Sequence, residues 1–153
     1  MGEILNKKER DEIGSILNDQ FGFNSFEDLI IVKAGNNKIW ITNREILETD
    51  FSKIRTETLG LYFGKIEYDG IRLSIEGSQI VGKQAKKNIV NITEDQLFMW
   101  LRGFDLEIQC ESTYVLLKYK SDFVGCGKKK ENGILNFIPK DRRIRSLKKI
   151  SKT

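Results

Sequence analysis

The residue types able to do chemistry are few, and what is missing decides most of the reading. The 153 residues include no histidine and two cysteines, Cys110 and Cys126. Ser-His-Asp and Cys-His arrangements are thereby excluded, as are His-ligated zinc, haem and facial-triad iron. Two thiols supply neither a four-ligand zinc site nor a disulfide framework for this length, and they read as reduced thiols of an intracellular protein. The lysines after Cys126 would lower a thiol pKa, but a packed, small apolar residue is the expected role. Glu94 and Asp95 suit a helix N-terminus better than acid–base work, and nothing near Asp105 and Glu107 calls for it either. Gly125-Cys126-Gly127 superficially matches a nucleotide-binding glycine loop. Only 26 residues follow it, too few for the helix, strand and ribose-binding acid of a dinucleotide unit. The chain therefore reads as no enzyme, with no catalytic residue, no cofactor and no metal.

What remains is cationic, and it is unevenly placed. The net charge is +4, yet from residue 118 onward twelve Lys/Arg face three acids, a local balance of +9. Residues 1–117 hold fourteen basic and nineteen acidic residues, a balance of −5. Such asymmetry points the C-terminal third at a polyanion. Two clusters stand out: Lys128, Lys129 and Lys130 at the end of a strand, and Lys140, Arg142, Arg143 and Arg145 after Pro139. Arg offers forked donors to phosphate and Lys a flexible point charge. A short hairpin between the clusters would bring both to one edge of a small barrel, and Lys148 to Lys152 read as a frayed basic arm.

The elements that must position these groups follow from periodicity. Residues 4–21 read as an amphipathic helix with Leu5, Ile13, Ile16, Leu17 and Phe21 on one face, ended by Gly22. Glu27–Lys33 and Lys38–Thr42 form a hairpin around Ala34-Gly35-Asn36-Asn37. Asn43 caps a short helix through about Glu48, and Asp50 another turn. Leu59–Tyr68 and Ile71–Ile75 form a second hairpin around Asp69-Gly70. The polar, glycine-containing stretch 77–87 is the expected boundary. Beyond it come a strand at Asn88–Ile92, a capping box at Thr93-Glu94-Asp95-Gln96, and a helix to about Arg102 stopped by Gly103. Leu97, Trp100 and Leu101 face its core. Strands at 105–109, 113–119, 122–128 and 134–138 then suggest a β-barrel-like unit. The longest apolar runs are four or five residues, Leu29–Val32 and Leu97–Leu101, too short to span a bilayer. Lys7, Lys8, Arg10 and Asp11 interrupt any signal-peptide pattern.

With these elements in place, Asn88–Ile144 resembles a PUA domain, the small RNA-binding fold of pseudouridine synthases, archaeosine transglycosylases and related proteins. The resemblance is carried by Trp100-Leu101-Arg102-Gly103, by Tyr114–Tyr119 and by Phe123–Lys128. Asn136-Phe137-Ile138-Pro139-Lys140-Asp141-Arg142-Arg143 is similar to the end of the PUA-like extension on NOL/NOP/Fmu-type RNA cytosine methyltransferases. Lys38–Thr42 with Ile46-Leu47, and Leu59–Lys65 with Arg72-Leu73, look like the N-terminal domain of Nip-type ribosome biogenesis proteins, which lack catalytic activity of their own.

The resemblance implies an α+β protein: a small N-terminal α/β domain over residues 1–84, then a C-terminal PUA β-barrel with a short basic tail over 85–153, packed as one rigid body. It implies a non-catalytic RNA-binding factor in ribosome biogenesis and rRNA processing, acting on pre-rRNA. Other assembly factors would be met through the N-terminal domain; the protein would be a monomer with no membrane association. The location would be cytoplasmic in an archaeal-like setting and nucleolar in a eukaryote. The alternative is a protein–protein scaffold, or a targeting subunit for a separate RNA-modifying enzyme. Carried over by position, and joined to the charge reading, the RNA-binding residues are Arg102, Gly103, Lys128, Lys129, Lys130, Lys140, Arg142 and Arg143. A side chain at Gly103 would hold the backbone away from the ribose–phosphate chain.

Overall fold

Asn6 sets the start of the first helix in the computed structural model, which describes residues 2–42 and 60–145. Its side-chain oxygen accepts from the Glu9 amide at 2.9 Å while the Glu9 carboxylate accepts from the Asn6 amide at 3.2 Å, so two free donors are satisfied reciprocally. The helix, α1 (Lys7–Phe21), therefore begins three residues later than the periodicity suggests. Glu3–Ile4 instead form a short strand, β1, paired with β2. Ile13, Leu17 and Phe21 form the buried face of α1, and Gly22, at φ 74°, closes it.

Strands β2 (Ile30–Ala34) and β3 (Lys38–Thr42) make the expected hairpin, with Gly35 and Asn37 in left-handed conformations. Strands β4 (Leu61–Glu67) and β5 (Gly70–Leu73) make the second. The result is an antiparallel sheet in the order β1-β2-β3-β4-β5. The helical turns expected after Asn43 and Asp50, and the basic arm at 148–152, lie outside the described residues.

The stretch read as a polar boundary is different from expectation. Ser74 ends β5, its hydroxyl donating to the Tyr62 carbonyl at 2.6 Å and accepting from the Gly77 amide at 2.9 Å. This cap starts a helix, α2 (Ile75–Gly82), which buries Gly77, Ser78, Val81 and Gly82. Its glycines permit close packing: a Cβ on Gly82 would collide with the Phe123 ring, and one on Gly77 with the Phe63 carbonyl. Read along the sequence, the same glycines look like breakers.

The remaining elements are β6 (Ile89–Asn91), α3 (Glu94–Leu101), β7 (Tyr114–Tyr119), β8 (Asp122–Lys130) and β9 (Gly133–Leu135). They form a curled sheet in the order β6-β7-β8-β9, with β6 parallel to β7. The capping box at Thr93 and Gln96 is present as expected. The strand expected at 105–109 is reduced to a single bridge, Leu106 to Ile134. The last strand also stops early, because the Asn136 side chain accepts from the Ile138 amide at 2.8 Å and turns the chain.

Strand β7 explains how the two sheets share a core. Its Tyr114-Val115-Leu116-Leu117 run is buried throughout, as a strand covered on both faces requires. Alternate side chains go opposite ways: Tyr114 and Leu116 join Leu17, Phe21 and Phe63, whereas Val115 and Leu117 join Trp100, Ile134 and Ile138.

Candidate nucleic-acid interface

The end of α3 meets the segment after β9, and this junction gathers part of the expected site. The Asn136 amide donates to the carbonyls of Trp100 at 2.8 Å and Phe104 at 2.9 Å. The Ile144 amide donates to the Leu101 carbonyl at 3.0 Å. The Arg143 guanidinium donates to the Ile138 carbonyl at 2.9 Å and crosses the place that a Cβ on Gly103 would occupy. Gly103 has φ 94°, so it is glycine for two reasons, backbone conformation and the approach of Arg143. The side chain over it belongs to this chain. Arg102 lies 5.3 Å from the centre of the Phe104 ring, which is 46% exposed. Arg102, Gly103 and Arg143 thus form one lip, with Lys140 and Arg142 beside them on the short 3-10 helix Lys140–Arg142.

Most of the other cations are held by carboxylates. Arg142 forms a two-pronged pair with Glu76, at 2.7 and 2.6 Å. That guanidinium holds the Glu76 carboxyl below its usual range. Lys130 pairs with Asp105 at 2.8 Å. Burial acts to raise the Asp105 carboxyl, but Lys130 and the Asn136 amide outweigh it and leave it lowered. Lys128 pairs with Asp69 at 2.8 Å and lies 5.4 Å from the Tyr68 ring centre and 5.7 Å from that of Tyr114. The Lys128 bond lowers the Asp69 carboxyl, and the Tyr114 hydroxyl donates to the same carboxylate at 2.7 Å. The lysine triplet is also divided by the strand: Lys128 and Lys130 share one face of β8 and Lys129 takes the other. Lys129 and Lys140 have no carboxylate within 4.0 Å among the described residues.

Cys126 is buried, and burial pushes its thiol up to about 12, so it packs as a small apolar residue. Trp100 is fully buried and its indole N–H donates to the Val124 carbonyl at 3.0 Å. Among the described residues no cluster of three His, Cys, Asp or Glu is placed to hold a metal, and no helix is long and apolar enough to cross a membrane.

A second feature was not anticipated from the sequence. A cleft of about 430 Å³ opens between the two sheets, lined by Lys38, Trp40, Tyr62, Arg72, Phe137 and Arg142 among others. Trp40 and Tyr62 are opposite each other on β3 and β4, with ring centres 5.2 Å apart. Arg72 lies 4.4 Å from the Phe137 ring centre and Lys38 6.0 Å from that of Tyr62. The alternation of Lys38 and Trp40 was visible in the sequence, but not the register that sets them against Tyr62 and Arg72.

Residues 87–144, which contain the lip, match the family model described as the methyltransferase RsmF PUA domain. That stretch is similar to a PUA domain. Over 148 residues, 88% of this chain, the sequence is 22% identical to ribosomal RNA small subunit methyltransferase F of Vibrio parahaemolyticus serotype O3:K6 (strain RIMD 2210633). The chain spans 29% of the length of that relative. Both similarities point to the methyltransferase-linked form of the domain.

Proposed function

We propose that this chain is a non-catalytic RNA-binding factor that engages ribosomal RNA during ribosome assembly. The observation that carries the reading is the lip itself: within a stretch similar to a PUA domain, Arg102 and Arg143 flank the Gly103 turn, with Lys140 on the 3-10 helix that leads to Arg143. Residues 1–84 serve as an α+β platform and 85–153 as the RNA-binding part. Lys128, Lys129, Lys130 and Arg142 complete the cationic surface, three of them through side chains now shared with carboxylates. The protein acts as a monomer in the cytoplasm, and its more acidic N-terminal half is the side available to other assembly factors.

A second reading is favoured by the similarity to a small-subunit rRNA methyltransferase: the chain is a targeting subunit that delivers RNA to a separate methyl-transferring enzyme. The two readings share the RNA site and differ in the partner.

Anisotropy of a short labelled single-stranded RNA at several salt concentrations tests the site. With about four or five phosphates engaged, the log–log salt slope should be about −3, at roughly −0.7 per phosphate. Replacing Lys140, Arg142 and Arg143 together with Gln should flatten that slope by about two units and weaken all sequences alike. A triple variant with unchanged affinity and slope removes the lip from the site. Crosslinking from the native cell, followed by RNA sequencing, separates an assembly factor on precursor rRNA from a companion of a methyltransferase on its substrate region.

A further inference from the structure

The cleft between the sheets is built differently from the lip. Its indole, phenol and phenyl rings come from two strands and the segment after β9: Trp40, Tyr62 and Phe137. A buried Trp indole N–H ordinarily finds an acceptor, as that of Trp100 does. The Trp40 indole nitrogen is buried and has no hydrogen-bond partner among the described residues.

The cations are also unusual. Lys38 stands opposite Lys65, and Lys65 opposite Arg72, across three adjacent strands. Residues directly opposite share one face, and like charges there are destabilising. The compensation within the sheet is slight, a 3.8 Å approach of Arg72 to Glu67. Arg72 and Lys38 lie against aromatic rings, and the Glu76 carboxylate in the lining is already engaged by Arg142. Rings for stacking and cations in excess are the features of sites that take single-stranded nucleic acid. An apolar peptide would use the rings but leave the row of cations unexplained.

We propose that the cleft between the two sheets holds one unstacked nucleotide of a single-stranded RNA, its base against Trp40, Tyr62 and Phe137 and its phosphate toward Lys38 and Arg72. This inference rests on the RNA-binding reading and extends it to a second contact, outside the stretch similar to a PUA domain for all but Phe137. The RNA would run from the lip to the cleft, past Arg142, which belongs to the edge of both.

The test uses the full chain with a short labelled single-stranded RNA, reading affinity by anisotropy and the cleft by tryptophan emission. Trp40 and Trp100 both border the cleft, so the quenching by RNA is assigned with Trp40→Phe, which leaves Trp100 as the sole tryptophan and should remove most of it. Phe137→Leu and Arg72→Gln should each weaken binding by about tenfold, the range expected for one stacked base or its phosphate contact. Lys140→Gln, outside the cleft, should leave the quenching at saturation unchanged. Thermal melts check that the variants fold, and Tyr62→Phe, which keeps the ring, should bind like the unaltered chain. RNA affinity undiminished in Phe137→Leu and Arg72→Gln, with no change in emission, overturns the cleft and leaves the RNA reading standing. Failure of the unaltered chain to bind any RNA overturns that reading instead. In that event quenching by a nucleoside monophosphate alone would assign the cleft to a free nucleotide and overturn RNA as its source. Quenching by an aromatic peptide but by no nucleotide would overturn a nucleotide altogether.

Discussion

Lip and cleft hold their cations in opposite ways. Of the expected RNA-binding cations, Arg142 at the lip and Lys130 and Lys128 on β8 each end on a carboxylate, Glu76, Asp105 or Asp69. In the cleft, Arg72 and Lys38 lie against the rings of Phe137 and Tyr62, and the carboxylate Arg72 meets, that of Glu67, is 3.8 Å away. A carboxylate satisfies a guanidinium's charge and its directional donors together, so an incoming phosphate must compete with it. An aromatic face satisfies a cation weakly and leaves most of its N–H groups free. A count of positive residues therefore overstates the lip and understates the cleft. Three lip cations are exceptions: Arg102 is laid against Phe104, Arg143 donates to the Ile138 carbonyl, and Lys140 has no carboxylate within 4.0 Å among the described residues.

The largest expected effect tests the scaffold common to both regions. Trp100 fills the core under the lip and lines the cleft, so Trp100→Ala should cost about 3–5 kcal/mol of stability in urea denaturation and loosen both. A smaller loss would mean that lip and cleft are supported separately. Gly103→Val comes next. It places a branched residue at φ 94° and displaces Arg143, with an expected cost of about 1–3 kcal/mol. Stability and RNA affinity should fall together, and a loss of affinity at unchanged melting temperature would contradict the packing described for Arg143.

Glu76→Gln sharpens the comparison most directly, because it removes the competitor of Arg142 while keeping the side chain's shape. Stability should fall by about 0.5–1 kcal/mol, the ordinary range for a partly exposed pair. If the lip takes phosphate, RNA affinity should rise by about two- to fivefold, the equivalent of that energy. Unchanged affinity would confine Arg142 to a structural role. Acid should act on the same pairs. Asp69, Glu76 and Asp105 are all held below their ordinary values. The stability they contribute is complete above the unfolded carboxyl range near about 4 and is lost as pH falls through the lowered values. Melting temperature should therefore drop on acidification from about pH 5 toward about pH 3, less steeply in Glu76→Gln. The smallest effect concerns Cys126, whose thiol should resist alkylation at pH 8 in the folded protein and react once it is unfolded in urea.

The two regions also differ in how far the sequence revealed them. Local signals were legible at Asn37, Asp69-Gly70, and Thr93 with Gln96, but not at the caps Asn6 and Ser74, where a polar residue beside a strand gave no periodic cue. Gly82 was misread because its reason is Phe123, forty-one residues away. Clustering along the chain made Lys140 to Arg143 legible, whereas Arg102 and Gly103 came from the resemblance, and Gly103 and Arg143 do meet. The carboxylate partners were not legible, since Glu76 and Arg142 lie sixty-six positions apart. The cleft was missed altogether. Lys38, Tyr62, Arg72 and Phe137 come from four separate segments, and only strand register sets them side by side.

Asn136 has a consequence for how the molecule is made. Its side chain fastens the Trp100 and Phe104 carbonyls to the segment that follows β9, and the parallel partner of β6 arrives only after the whole of α3. On a translating ribosome the first sheet can zip up hairpin by hairpin as it emerges. The second has no such vectorial route: β6 must wait, unpaired, for β7, and the turn after α3 stays unclasped until residue 136 has cleared the exit tunnel. The turn at Gly103 is thus among the last parts of the described fold to be fixed, well after the first sheet has closed.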